Sequence, residues 1–156
     1  MSAITVETFT FTCTVCGHRF EAADLPTACP KCCVHGSART FPSDKTTTTA
    51  RQNDSFRAGM VVGGCPFPGA VVVTSGVRDK GRDFVTNAIL AAAFDTAFSE
   101  DNDPWGTRDF GTVTVQGERL YWKIDYYDAA REYGSDDPSD PAKTHRVLTL
   151  LFPSEY

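Results

Sequence analysis

Cys13-Thr-Val-Cys16 and Cys29-Pro-Lys-Cys32, with twelve residues between the two pairs, carry the most sharply defined chemistry in this sequence. Each Cys-x-x-Cys knuckle turns its backbone so that two thiolates converge, and Cys13, Cys16, Cys29 and Cys32 together complete a tetrahedral shell for zinc. Gly17, directly after the second ligand, supplies the left-handed turn that a knuckle needs. Cys33 and His35 are spare donors beside the second knuckle, and the symmetrical spacing selects Cys32 over either. Cys65 lies between Gly64 and Pro66, far from any histidine in sequence, and reads as packed or idle rather than nucleophilic. Only His145 lies within reach of it through the fold, and a Cys65–His145 couple or a His145 base beside Asp125 is the enzymatic alternative.

A second set of residues is acidic. Between Asp95 and Asp140 stand twelve acidic side chains against four basic ones, concentrated in two loops over residues 99–111 and 128–141. Three readings of these loops compete. Asp, Asn, Gly and Pro are turn formers whose carboxylates cap nearby backbone N–H groups. Alternatively Asp101 and Asp103 with Asp109, or Asp125 with Asp128, gather oxygens around a hard divalent cation, although the spacing is not that of an EF-hand. The third reading is an interaction face: Asp101, Asp103, Asp109, Asp125, Asp128, Asp136 and Asp137 supply charge, and Trp105, Tyr127 and Tyr133 supply aromatic anchors beside Tyr126. Such a face meets a basic surface on a partner and imitates nucleic-acid phosphate.

The elements that must position these groups follow from composition and periodicity. The chain has 156 residues, 41% hydrophobic and 22% charged, and a net charge of −5 that falls entirely after residue 50. That balance suits a soluble globular chain and argues against a general binder of phosphate backbones. No apolar run is long enough to span a bilayer and the first thirty residues lack the pattern of a signal peptide, so a cytoplasmic location is expected. Residues 1–40 form the metal ribbon, with Phe9, Phe11 and Phe20 as its few apolar contacts, so its folding should depend on the metal. Residues 41–58 are polar, contain four consecutive threonines and show no apolar period, which predicts a linker.

Residues 59–156 read as an acidic α+β domain. Ala70–Thr74 predicts a strand. From Asp79 to Phe94 the apolar residues recur at three- and four-residue spacings and predict an amphipathic helix. Thr112–Val115 and Glu118–Tyr126 alternate as a hairpin around Gln116-Gly117, with Trp122, Ile124 and Tyr126 on its buried face. Residues 146–152 are near-continuously apolar and predict a central strand. The expected fold class is therefore α+β: a small N-terminal ribbon, then one helix on a mostly antiparallel sheet.

Two resemblances add to this reading. Cys-Thr-Val-Cys-Gly-His and Leu-Pro-Thr-Ala-Cys-Pro-Lys-Cys resemble the rubredoxin-like zinc ribbon over residues 9–36, with Cys33 standing where a glycine is usual after the fourth ligand. That resemblance also implies a competing metal, because rubredoxins hold iron in the same four thiolates and pass electrons. Zinc is preferred here, since no partner redox site is visible in the rest of the chain. Asn102-Asp-Pro-Trp-Gly-Thr-Arg-Asp-Phe-Gly111, Trp122-Lys-Ile-Asp-Tyr-Tyr-Asp128 and Glu132-Tyr-Gly-Ser-Asp-Asp-Pro138 resemble an uncharacterised domain family of proteobacterial plasmids and prophages, over about residues 60–156. The genomic company implied is that of mobile-element accessory proteins acting on host machinery, including restriction and CRISPR interference. The expected function is thus non-enzymatic binding of a host protein through the acidic face. Two alternatives stand beside it: a metal-dependent hydrolase in the acidic loops, and nucleic-acid binding by the ribbon through Arg19, Lys31, Arg39 and Lys45.

Overall fold

The computed structural model describes residues 4–156 as a two-stranded ribbon followed by a four-stranded sheet with helices. Strands β1 (Phe9–Thr12) and β2 (Arg19–Ala22) pair antiparallel, with Phe11 opposite Phe20. Phe11 and Phe41 are buried with Cys13 and Cys29, and Phe9 and Phe20 pack on them at the edge. A core this small contributes only about a few kcal/mol, so an ion held by the four cysteines would supply much of the ribbon's stability.

The expected linker over residues 41–58 is instead the start of a nineteen-residue helix, α1 (Asp44–Val62), which runs on past residue 59 into the second unit. Ser43 caps it by accepting from the N–H of Thr46 (3.1 Å), and Asp44 sits in the first turn, at the positive end of the helix dipole. Four threonines are poor helix formers. The compensation is tertiary: Thr49, Gln52, Asn53, Phe56 and Arg57 form a buried face at helical spacing, and most of it is polar. Each long polar side chain finds a partner outside the helix. Gln52 donates to the carbonyl of Ser139 (2.8 Å), Asn53 to that of Thr107 (2.8 Å), and Arg57 to those of Ala92 (2.7 Å) and Asp95 (2.9 Å). A search for apolar period cannot see a face of this kind.

The larger sheet has the order β3-β6-β5-β4, from β3 (Gly69–Val73), β4 (Phe110–Val115), β5 (Glu118–Tyr127) and β6 (His145–Leu151). Its β4–β5 and β5–β6 pairs are antiparallel and β3–β6 is parallel, so β6 lies inside the sheet as its apolar run predicts. Between β3 and β4 come a short helix α2 (Ser75–Arg78) and the amphipathic helix α3 (Arg82–Ala93), whose Phe84, Ala88 and Ala92 are buried. They share one core with Phe56 of α1 and with Leu120, Trp122, Ile124, Leu148 and Leu150 of the sheet. The domain therefore has two long helices where one was expected. Gly69 lies so near Phe56 that an added Cβ would stand 2.3 Å from its ring, which lets α1 close on β3. Among the described residues no helix is long and apolar enough to cross a membrane.

Arg146, at the start of β6, is fully buried and knots these layers together. Its Nε donates to Asn53 Oδ1 (2.9 Å), and its Nη2 donates to Gln52 Oε1 (2.6 Å) and to the carbonyl of Pro138 (2.8 Å). The guanidinium also lies over the rings of Phe67 and Tyr126, so neutral acceptors and π faces take the place of a counter-ion.

Candidate metal centre and acidic loops

The two knuckles fold by the same local bonds. The N–H of Gly17 donates to Cys13 O (2.8 Å) and that of Cys13 to His18 O (2.9 Å). Sixteen residues on, Cys33 donates to Cys29 O (3.0 Å) and Cys29 to Val34 O (2.9 Å). Gly17 makes this turn at φ +73° and Cys33 makes it at φ +60°, so the cysteine at the usual glycine position keeps the knuckle's hydrogen bonding in a left-handed backbone.

The outcome is convergence of Cys13, Cys16, Cys29 and Cys32, whose sulfurs all lie within 4.8 Å of one another. Cys13 Sγ and Cys32 Sγ are 3.8 Å apart, and Cys16 Sγ and Cys29 Sγ are 3.7 Å apart. A tetrahedron with metal–sulfur bonds of ~2.3 Å has sulfur–sulfur edges of ~3.8 Å, the separation of these two pairs, so the four thiolates suit a zinc or iron ion. Burial opposes ionisation of Cys29, yet the backbone N–H groups of Cys32 and Lys31 and the neighbouring thiols outweigh it and lower that thiol to about 6. At Cys32 the N–H of Val34 favours the thiolate, but desolvation and the three other sulfurs prevail and push it up to about 12. Cys33 and His35 are not part of the cluster.

The ribbon docks on the second unit. Arg39 Nη1 pairs with Asp103 Oδ2 at 2.8 Å, and Ser37 donates to Glu100 Oε1 at 2.6 Å. Asp103, read from sequence as part of an exposed face, is 3% exposed; its other oxygen accepts from the N–H of Arg108 (3.0 Å). It is an internal clamp, because a carboxylate between a guanidinium and a backbone N–H gains more by pairing than by hydration. Asp109 is also largely withdrawn from solvent and accepts from Tyr126 Oη (3.1 Å); burial raises its pKa.

The other acidic positions divide. Asp128 accepts from the N–H of Glu132 (2.9 Å), and Asp137 accepts from the N–H of Ser139 (3.1 Å) and pairs with Lys45 at 3.3 Å. Hydrogen bonding from Ser139 holds the Asp137 carboxyl below its usual range. Asp125, on the sheet face opposite Trp122 and Ile124, pairs with Lys123 at 2.9 Å, and Tyr127 points to that same face. Asp101 and Asp136 are exposed, and their carboxylates have no hydrogen-bond partner among the described residues. Trp105 and Tyr133 are 66% and 74% exposed. The turn-forming reading thus accounts for much of the acid, and the ten positions read as one face lie on two loops and a sheet surface. Among the described residues, the four cysteines are the one cluster of three or more ligating side chains; Asp101, Asp103 and Asp109 do not converge in this way. Cys65 donates to Phe67 O at 3.6 Å and has no bond to His145.

Two residues that sequence reading passed over hold the loops in place. Asn53, in the presumed linker, bonds both to Thr107 O and to Tyr126 Oη, and Gln52 holds the other loop at Ser139. Both acidic loops are thereby fastened to adjacent faces of one helix. Only the polar pair in mid-helix pointed to this, and it is an ordinary loop signal in sequence.

The fold and site together define a four-cysteine ribbon docked on an α+β domain. The family described as Protein of unknown function (DUF3768) matches residues 73–155, slightly more than half of the chain, and the chain belongs to it. The match begins at the last residue of β3, so the ribbon and α1 lie outside it. No curated protein and no solved structure matches the chain.

Proposed function

We propose that this chain is a non-enzymatic binding protein of the cytoplasm. In this reading the ribbon carries zinc, and the two acidic loops dock on the basic surface of a host protein that handles nucleic acid, a class that includes restriction and CRISPR interference complexes. The observation that carries it is the setting of Trp105. Its neighbours on both sides are fastened, Asp103 by Arg39 and Thr107 by Asn53, yet Trp105 itself is two-thirds exposed, four residues along the loop from the free carboxylate of Asp101. A rigidly presented aromatic with adjacent charge is what an interface anchor requires, because little entropy remains to be lost on docking. Tyr133 offers the same combination beside Asp136 on the second loop. Zinc is the metal this reading takes, since a binding role asks for no change of oxidation state in the ribbon.

The test is capture from a host lysate containing an active defence system, with metal content and stoichiometry measured. The reading requires one zinc per chain and a near-stoichiometric partner that is released by salt and lost from a Trp105→Ala, Asp101→Asn, Asp136→Asn variant of unchanged melting temperature. Iron in the ribbon removes the zinc assignment. A partner held equally well by the variant, or no partner for the folded protein, removes the binding reading.

A further inference from the structure

Where the ribbon, α1 and the first acidic loop meet, two hollows of about 360 and 490 Å³ adjoin each other and share Arg39, Asp54 and Arg108 in their walls. Their combined lining has four arginines, the two further being Arg51 and Arg57, against Asp54, Asp95 and Asp103, on a chain whose overall charge is −5. The carboxylates are already engaged. Asp103 is held by Arg39, Asp54 is shared between Arg57 (2.7 Å) and Arg108, and Asp95 accepts from Trp122 Nε1 (2.9 Å). Arg51 is exposed and has no hydrogen-bond or ion-pair partner among the described residues. Arg108 reaches the cleft from a left-handed backbone, φ +55°, fixed by the bond from its N–H to Asp103. A large side chain held in that conformation is strain that the surroundings maintain, and it brings the guanidinium beside Asp54 in the wall that both hollows share.

The second hollow differs from the first in having an aromatic wall. Phe94, at the C-terminal end of α3, lines it with its ring 57% exposed, and Phe98 lies below the guanidinium of Arg57 at 5.3 Å. Fork-shaped donors at one end and an open ring at the other, within a volume suited to a small ligand, describe a complement to an oxyanion joined to a flat ring. We propose that this cleft binds a mononucleotide, with the phosphate between Arg51 and Arg108 and the base against Phe94. The assignment is independent of the acidic loop tips, since neither Trp105 nor Tyr133 lines either hollow.

Calorimetry of the full, metal-loaded chain tests it, with adenosine and cytidine monophosphates as ligands and adenosine, inorganic phosphate and short oligonucleotides as comparisons. At least one mononucleotide should bind more tightly than either of its halves. Arg51→Gln should weaken it about tenfold to hundredfold, the range for loss of a charge-assisted hydrogen bond, with the melting temperature unchanged. Arg51→Lys should recover part of that loss, and Phe94→Ala should weaken the nucleotide but leave inorganic phosphate unaffected. No heat with either mononucleotide overturns the proposal, as does wild-type affinity in Arg51→Gln. Affinity that climbs steadily with oligonucleotide length also overturns it and gives the cleft to a nucleic-acid strand.

Discussion

Arg39 and Asp103 stand 64 residues apart in the chain and form a two-point clasp, the Arg39 Nη1 donating both to the carboxylate (2.8 Å) and to the backbone carbonyl (3.1 Å) of Asp103. The aspartate side chain is 2% exposed and the arginine 29%, so the pair closes the seam between ribbon and domain from the inside. Asp103→Asn removes the charge and leaves the guanidinium half-buried without a counter-ion. The expected cost is about 2 kcal/mol, below the figure for a fully buried pair because Arg39 keeps some water. Urea unfolding checks it, and a double-mutant cycle with Arg39→Met should return a coupling of the same sign.

Removal of the metal has a local consequence. With a chelator present, hydrogen exchange should accelerate most in the two knuckles and in β1 and β2, where the four thiols and a handful of phenylalanines make up the local core. The sheet of β3 to β6 has its own core and should remain protected. Metal affinity should rise with pH across the neutral range, because each ligand still protonated must release a proton before it can coordinate.

Cys33→Gly should stabilise the loaded ribbon by about 1 kcal/mol, since glycine adopts φ +60° without the steric cost a cysteine bears there. The metal content should stay at one ion per chain. Loss of the ion in this variant would mean that Cys33 is a ligand, against the clustering of the other four sulfurs.

Asp109 provides a pH signature. Its pKa in the folded protein is raised by burial, so its contribution to stability is greatest in acid and is lost as pH rises through that folded value. Asp109→Asn keeps an acceptor for Tyr126 Oη and removes the ionisation. The variant should be the more stable protein at neutral pH, with the difference shrinking as the solution is acidified; denaturant titrations over a pH series measure it.

What could be read from the chain beforehand was what is written locally. The knuckles announce themselves because both ligands of a pair and the turn between them lie within five residues, and α3 and the β4–β5 hairpin because their buried faces are apolar at regular intervals. Helix α1 was missed for the opposite reason. Its inward face is Thr49, Gln52, Asn53 and Arg57, residues that belong inside only when acceptors such as Ser139 O and Thr107 O, more than fifty positions away, are waiting for them. The same blindness made Asp103 look like surface charge, since nothing near it in sequence reveals Arg39. Polar interiors are specified by pairs, and one strand of text shows each member alone.

The parallel pairing of β3 with β6 sets a timetable. Val73 must await Leu150, so the sheet can close only after a stretch of almost eighty residues has been synthesised, whereas the ribbon's four cysteines and its small core are complete by Phe41. On a ribosome the ribbon can take its metal early and stand as a finished piece. During that interval β3 lacks its parallel neighbour, and Gln52 and Asn53 of α1 lack the carbonyls of Ser139 and Thr107 that receive them.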